Sequence, residues 1–296
     1  MRGGLLGLAL ALLLGGCAGK PHETFVASQL SWEAEREVSL SNPDNYLGLV
    51  ALLWVEDGDS TIGSAEDADL RFDPAYAPPS LGVLEVADGQ VTFVPATGVA
   101  VQVVGVDFDD VSDRIELIPD AQGTPTRVQV GELIFWIVDR GGRLAVRARH
   151  PESAVLEAYR GTDRFTPDVD WQVVARWQPY ESPRAIQQPN ILGSTYADAA
   201  VGELHFELQG TACVLEPTGD PDSLFLIFGD ETNGDVTYGG GRFLRVPVPD
   251  DDGLLVIDFN RAYNPPCAYT EFTTCPLPLP RNRLAVPVTA GEKAPH

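Results

Sequence analysis

A chain of 296 residues with 44% apolar and 21% charged side chains can build one or two packed cores and is too poor in charge for disorder. Its formal charge of -23 repels phosphate backbones and excludes nucleic acid as a partner. With 24 prolines and 29 glycines it favours many short strands over long helices.

Arg2 precedes an apolar run from Leu5 to Leu14 that is too short to span a bilayer as a helix and is ordered like an export signal. Leu14-Gly15-Gly16-Cys17 resembles the lipobox of bacterial lipoproteins. The resemblance implies that residues 1–16 are removed and that Cys17 carries lipid (palmitate or a related acyl chain). This acidic protein would then be anchored in the cell envelope. Ala18 after the cysteine points to the outer membrane if the cell has two. Residues 17–28 read as a tether. Cys213, Cys267 and Cys275 then remain, an odd number that allows at most one internal disulfide in an oxidising compartment. His22, His150, His205 and His296 form no His-x-x-x-His, and the cysteine spacing fits no zinc pattern, so neither metal nor other cofactor is expected.

Ser28 to Leu40 is predicted helical, with Ser31 as N-cap, and Asn42-Pro43 ends it. Tyr46 to Val55 is apolar. Short strands are predicted over 83–86, 91–94, 99–104, 127–130, 133–138 and 144–149, separated by turn residues. Gly58 to Ser64, Pro79 to Val83 and Val130 to Phe135 resemble the ordering in forkhead-associated domains, which are phosphothreonine-binding β-sandwiches. Ser64 and Val83 stand where that family carries its phosphate-holding cations, so the likeness implies the architecture and not the ligand.

After a linker-like passage around Pro151 and Gly161 to Pro167, Trp171 to Trp177 reads as a strand, and Pro179 to Thr195 reads as a surface loop. Val201 to Leu208 alternates, which puts His205 on one face with Glu203 and Glu207. Leu224 to Gly229 has the continuous apolar character of a central strand. Asn233-Gly234 predicts a hairpin into a strand over 236–246, and the same turn chemistry accounts for Asp230 and Asp235 without calcium. Leu254 to Phe259 is the last predicted strand. The chain is therefore expected to be mainly β, with a short N-terminal helix and two antiparallel sandwich or barrel-like units over 29–160 and 161–296.

The last strand runs into Asp258 to Arg283, a stretch rich in proline, asparagine and cysteine with little room for a helix. Cys267 is a candidate nucleophile whose thiolate Arg261 or Arg242 could favour, although no histidine lies in the stretch to act as base. It is equally a candidate for a disulfide to Cys275, a buried structural thiol, or a partner of Cys213. Asp258, Asn260, Arg261 and Asn264 could grip a ligand or could satisfy loose backbone donors. Tyr238-Gly239-Gly240-Gly241-Arg242 is a glycine run where another backbone or a ligand approaches closely. The excursion is expected to pack there, with Tyr238 and Arg242 lining the join.

Thr237 to Leu244, Asp258 to Tyr269, Cys275-Pro276-Leu277-Pro278 and Asn282-Arg283-Leu284 together resemble domain-of-unknown-function family 1684, as do Asn45 to Leu49, Leu53-Trp54-Val55 and Ile62-Gly63. The resemblance implies no settled activity. Arg281 departs from the family's acidic residue before the final asparagine. The functional expectation is a non-catalytic module that recognises a small molecule, glycan or protein through Tyr238, Arg242, Asp258, Asn260, Arg261 and Asn264. The alternative is a hydrolase or thiol-dependent enzyme using Cys267 with Arg261 and Asp258.

Overall fold

The computed structural model describes residues 19–105, 113–220 and 223–295; the segment read as an export signal (1–16), Cys17 and His296 lie outside them. Helix α1 (Gly19–Leu40) is longer than predicted and takes in most of the segment read as a tether. Phe25, Gln29, Trp32, Arg36 and Leu40 recur at spacings of three and four and form one inward stripe. Two of the five are polar, which hides the stripe from a hydropathy reading. Ser31 is mid-helix instead of capping it, with its hydroxyl 3.4 Å from Glu35. No helix among the described residues is long and apolar enough to cross a membrane.

The first β unit contains β1 (Leu49–Trp54), β2 (Gly58–Gly63), β3 (Leu70–Arg71), β4 (Gly82–Ala87), β5 (Gln90–Pro95), β6 (Gln102–Val103), β7 (Ile115–Glu116), β8 (Val128–Val130), β9 (Leu133–Asp139) and β10 (Leu144–Arg149). Among the described residues they form two sheets, ordered β1-β10-β9-β8-β6 and β3-β2-β4-β5-β7. Their inner faces share one core, in which Leu84 and Phe93 meet Leu133, Phe135, Ile137 and Val146. The Phe93 and Phe135 rings stand edge to face with centroids 5.2 Å apart. Asp88-Gly89, both at positive φ, closes the tight β4–β5 hairpin. The strand predicted over 99–104 shrinks to Gln102–Val103. Ser153 then caps a short helix, α2 (Ala154–Ala158), by accepting from the Leu156 amide.

The second unit contains β11 (Gln172–Pro189), β12 (Thr195–Leu208), β13 (Thr211–Leu215), β14 (Thr218–Asp220), β15 (Ser223–Phe228), β16 (Arg242–Val246) and β17 (Leu254–Asp258). The main path runs β16-β15-β14-β12-β11-β17, with β13 branching from β12. Its two end strands are consecutive in the chain, so the sheet curls into a nearly closed barrel around Leu204, Leu215, Leu226, Phe228, Leu244, Ile257 and Phe259. Two expectations are corrected. The loop predicted over 179–195 is largely strand: β11 runs on to Pro189 and turns tightly into β12. Beyond Arg176, β12 is its one strand partner among the described residues, and that pairing lapses between Pro179 and Arg184, which leaves Pro183 where no ladder donor is missed, while the Pro189 carbonyl accepts from the Leu277 amide at 2.8 Å. The strand predicted from Val236 starts at Arg242 instead, because Asp230, Thr232, Asn233 and Thr237 tie 230–241 into an ordered loop. His205 does share a face with Glu203, whose carboxylate lies 2.9 Å from its Nε2.

Strand β15 explains its own continuous hydrophobicity. Leu224, Leu226 and Phe228 point into the barrel, while Phe225 and Ile227 point out and join Phe243, Tyr263, Cys267 and Cys275 in a second, smaller cluster. That outer cluster carries the Asp258 to Arg283 excursion and brings it against β10 of the first unit.

Candidate functional site

The polar residues at the start of the excursion hold the molecule together. Asp258 accepts from Gln29 Nε2 at 2.6 Å and Gln172 Nε2 at 2.9 Å, and caps the next turn through the Asn260 amide at 3.1 Å. Asn260 is buried and bonds both the amide and the carbonyl of Asp168, at 3.0 and 2.9 Å. Arg261 reaches Ser28 Oγ at 2.7 Å and Gln29 Oε1 at 3.3 Å, with Asp258 3.6 Å away. Asp258 and Arg261 thus face α1. The Asn264 backbone amide donates to the Glu292 carboxylate at 2.7 Å, and its side-chain Nδ2 donates to the Lys293 carbonyl at 2.7 Å. Arg242 is fully buried, donating to Asp230 and the Val288 carbonyl at 2.8 Å each and to the Ala290 carbonyl. Its burial pulls the guanidinium pKa down, opposed by the Asp230 charge. Tyr238 contacts the cysteine loop, donating to the Cys267 carbonyl at 3.2 Å. Pro278 lies over Gly241, where an added Cβ would sit 2.4 Å from the proline ring, so the excursion does pack on the glycine run. Arg281 meets buried Glu216, which also binds Arg184 and Tyr180.

Cys213, Cys267 and Cys275 are all free thiols, so the disulfide expected as one reading of Cys267 and Cys275 is not formed. Cys213 bonds the Thr211 carbonyl from its own strand and takes no part in the loop. Cys267 and Cys275 instead bracket each other. The Cys267 amide donates to Cys275 Sγ and the Cys275 amide to Cys267 Sγ, each at 3.1 Å. Thr273 Oγ1 lies 2.9 Å from Cys267 Sγ. A thiol hydrogen bond from Cys275, with Thr273, the Cys275 amide and the charge of Arg147, draws the Cys267 pKa down to about 6 against the effect of burial. Cys275 is driven the other way by the same neighbouring sulfur and by burial.

Arg147 comes from the first unit. On β10 it shares a face with Arg149, while Val146 and Ala148 point into the sandwich core. Its cross-strand neighbours are Leu52 and Trp136. With Tyr46, Phe243, Pro266, Thr273, Thr274 and Cys275 it lines a cleft of about 330 Å³ between the two units. Arg149 is occupied by Asp44 at 3.0 Å, and Arg140 by Asp120 at 2.8 Å. Arg147 differs: its Nε and Nη2 are buried and have no hydrogen-bond partner. Burial and the nearby Arg140 charge pull its pKa down to about 10, so it remains a cation at neutral pH. Sequence reading missed Arg147, Trp136, Tyr46 and Thr273 as site residues. The alternation of Arg147 and Arg149 with core residues marks an outward face, but nothing local says what covers it.

Residues 157–293 match the family model described as "Protein of unknown function (DUF1684)". An uncharacterized protein of Haloarcula marismortui, solved by solution NMR, is 32% identical over 48% of this chain and 80% of its own, with a TM-score of 0.40. The chain belongs to the DUF1684 family. No curated protein matches it. The DUF1684 match takes in the barrel, the glycine run and both loop cysteines, and Arg147 lies before it.

Proposed function

We propose that this DUF1684 protein is a binding protein that takes a small organic carboxylate in the cleft between its two β units. The observation that supports this most directly is the empty pair of donors on Arg147. Nε and Nη2 form the side-on fork of a guanidinium, which matches the two oxygens of a carboxylate. A buried cation with two unfilled donors is costly in isolation, and a bound anion would offset that cost. Tyr46, Trp136 and Phe243 supply an apolar wall for the ligand's body. The cleft lies near the lower end of the roughly 300–1,000 Å³ usual for ligand sites, which favours a compact ligand. The Arg147 charge is local within a protein of net charge -23, so binding depends on the fork and not on long-range attraction.

Calorimetric titration with a panel of aliphatic and aromatic carboxylates tests this. Wild-type protein is expected to bind at least one member, Arg147→Lys to bind it about tenfold or more weakly because lysine lacks the fork, and Arg147→Met to lose it. Equal affinity in Arg147→Met would remove the basis of the proposal.

We also propose that the protein is held at a membrane of the cell envelope by lipid on Cys17. The Leu14-Gly15-Gly16-Cys17 run after an apolar segment supports this. Labelled palmitate should enter the wild-type protein in cells and not Cys17→Ser; equal labelling of the two would contradict it.

A further inference from the structure

We propose that Cys267 and Cys275 are a dithiol that exchanges with low-molecular-weight disulfides, with Cys267 attacking and Cys275 resolving. This activity is separate from carboxylate binding and does not depend on it. It rests on the mutual bracket of the two residues. Each sulfur lies 3.1 Å from the other residue's amide nitrogen. The partner's Cα is one bond further on, so the two side chains are within the reach that a disulfide needs. The bracket is pinned from outside as well. The Ile191 amide donates to the Cys275 carbonyl at 3.0 Å, and Tyr238 holds the Cys267 carbonyl.

The two sulfurs differ in access, which fixes their roles. Cys275 is 6% exposed and faces the cleft of Arg147. Cys267 is half-buried and lines a separate open cavity of about 420 Å³ with Ile191, Leu192, Tyr269 and Thr270. A disulfide entering that cavity meets Cys267 first. The Cys275 amide, the Thr273 hydroxyl and the Arg147 charge all favour a thiolate there.

In the first step the Cys267 thiolate attacks one sulfur of R–S–S–R. A Cys267–S–S–R bond forms and RS⁻ leaves, taking up from solvent the proton that Cys267 had released. The Cys267 thiolate beside it, by hydrogen bond and repulsion, and burial together hold Cys275 protonated. Once Cys267 is in the mixed disulfide that repulsion is gone, and the Cys267 amide remains as donor to Cys275 Sγ. Cys275 then loses its proton and attacks Cys267 Sγ, closing the intramolecular disulfide and releasing a second RSH. One substrate disulfide is reduced to two thiols, and the protein pair is oxidised by the same two electrons.

The test uses reduced full-length protein mixed with oxidised glutathione near neutral pH, quenched with acid and mapped by mass spectrometry. Wild-type protein should lose both loop thiols to a Cys267–Cys275 crosslink without a lasting adduct. Cys275→Ser should accumulate glutathione on Cys267. Cys267→Ser should form adduct on Cys275 at least about tenfold more slowly, since that thiol is shielded. Cys213→Ser should behave as wild type. Persistence of both loop thiols in wild type, or adduct on Cys275 in Cys267→Ser at the rate seen for Cys267, would overturn the proposal. Cys275→Ala provides a second trapping variant if serine disturbs the loop, and circular dichroism confirms that each variant is folded.

Discussion

Arg147 is a cation held in a strand by its neighbours while two of its donors stay empty. Such a residue lowers the stability of the free protein, because a buried charge without full compensation is worse than an apolar side chain of similar shape. In urea unfolding without ligand, Arg147→Met should be as stable as wild type or more stable, by up to about 1–3 kcal/mol. A loss of that size would mean that Arg147 already has a partner. Arg242, whose Nε likewise lacks a partner, differs in that its charge is paired. It is as polar in sequence, but its salt bridge to Asp230 is wholly buried, with both side chains at 0% exposure. Asp230→Asn leaves that cation uncompensated and should cost about 3–5 kcal/mol in the same experiment. Cys267 gives a pH signature. Its pKa lies below that of an ordinary thiol, so thiolate, and with it alkylation by iodoacetamide, should rise with pH through a midpoint near 6. Cys213, whose pKa burial raises, should stay unreactive across that range. Coincident profiles for the two would contradict the bracketed thiolate. The motif residues Asp258, Asn260 and Arg261 stood out in the sequence as a polar group. What could not be read there was their partner, because Gln29, Ser28 and Asp168 lie far away along the chain.

At the level of elements, the glycine run and the proline-rich excursion are one device. Gly241 has φ +84°, and its missing side chain makes room for Pro278 and the Phe228 carbonyl. Gly241→Ala should therefore both strain the backbone and push the excursion outward. A cost of about 1–3 kcal/mol is expected, with faster labelling of Cys275 as the loop loosens. Unchanged stability and labelling would mean that the contact is dispensable. Most strands were legible because turn residues punctuate them. Two elements were legible only in part: strand β11 was read as far as Trp177 and then hides behind its prolines, and helix α1 was read from Ser28, its earlier turns being taken for a tether.

Across the whole molecule, the sequence order of helix, sandwich and barrel differs from the order of contact. Helix α1 precedes the sandwich but is tied to the barrel and the C-terminal tail. Glu292 is the centre of that tie: it is fully buried and joins Arg36 at 2.9 Å, Arg164 at 3.2 Å, the Asn264 amide at 2.7 Å and the Tyr269 hydroxyl at 3.1 Å. Glu292→Gln should destabilise by about 3–5 kcal/mol by leaving two cations short of charge. Limited proteolysis of that variant should cut α1 early; a wild-type pattern would show that the helix is held by other contacts. The two β units were readable from composition and turn spacing, whereas the cleft between them was not. A cleft formed by Arg147 and Trp136 of one unit and Phe243, Thr273 and Cys275 of the other is a property of docking, to which no local pattern points.

The central claim is that the Arg147 fork is empty and takes a carboxylate. The most direct measurement is the arginine side-chain Nε–H spectrum of the ¹⁵N-labelled protein during titration with benzoate, the resonance being assigned by its loss in Arg147→Lys. A single Nε–H signal, that of Arg147, is expected to shift and saturate while those of Arg149 and Arg242 hold still. An Arg147 signal unmoved by benzoate and by simple aliphatic carboxylates would contradict the claim.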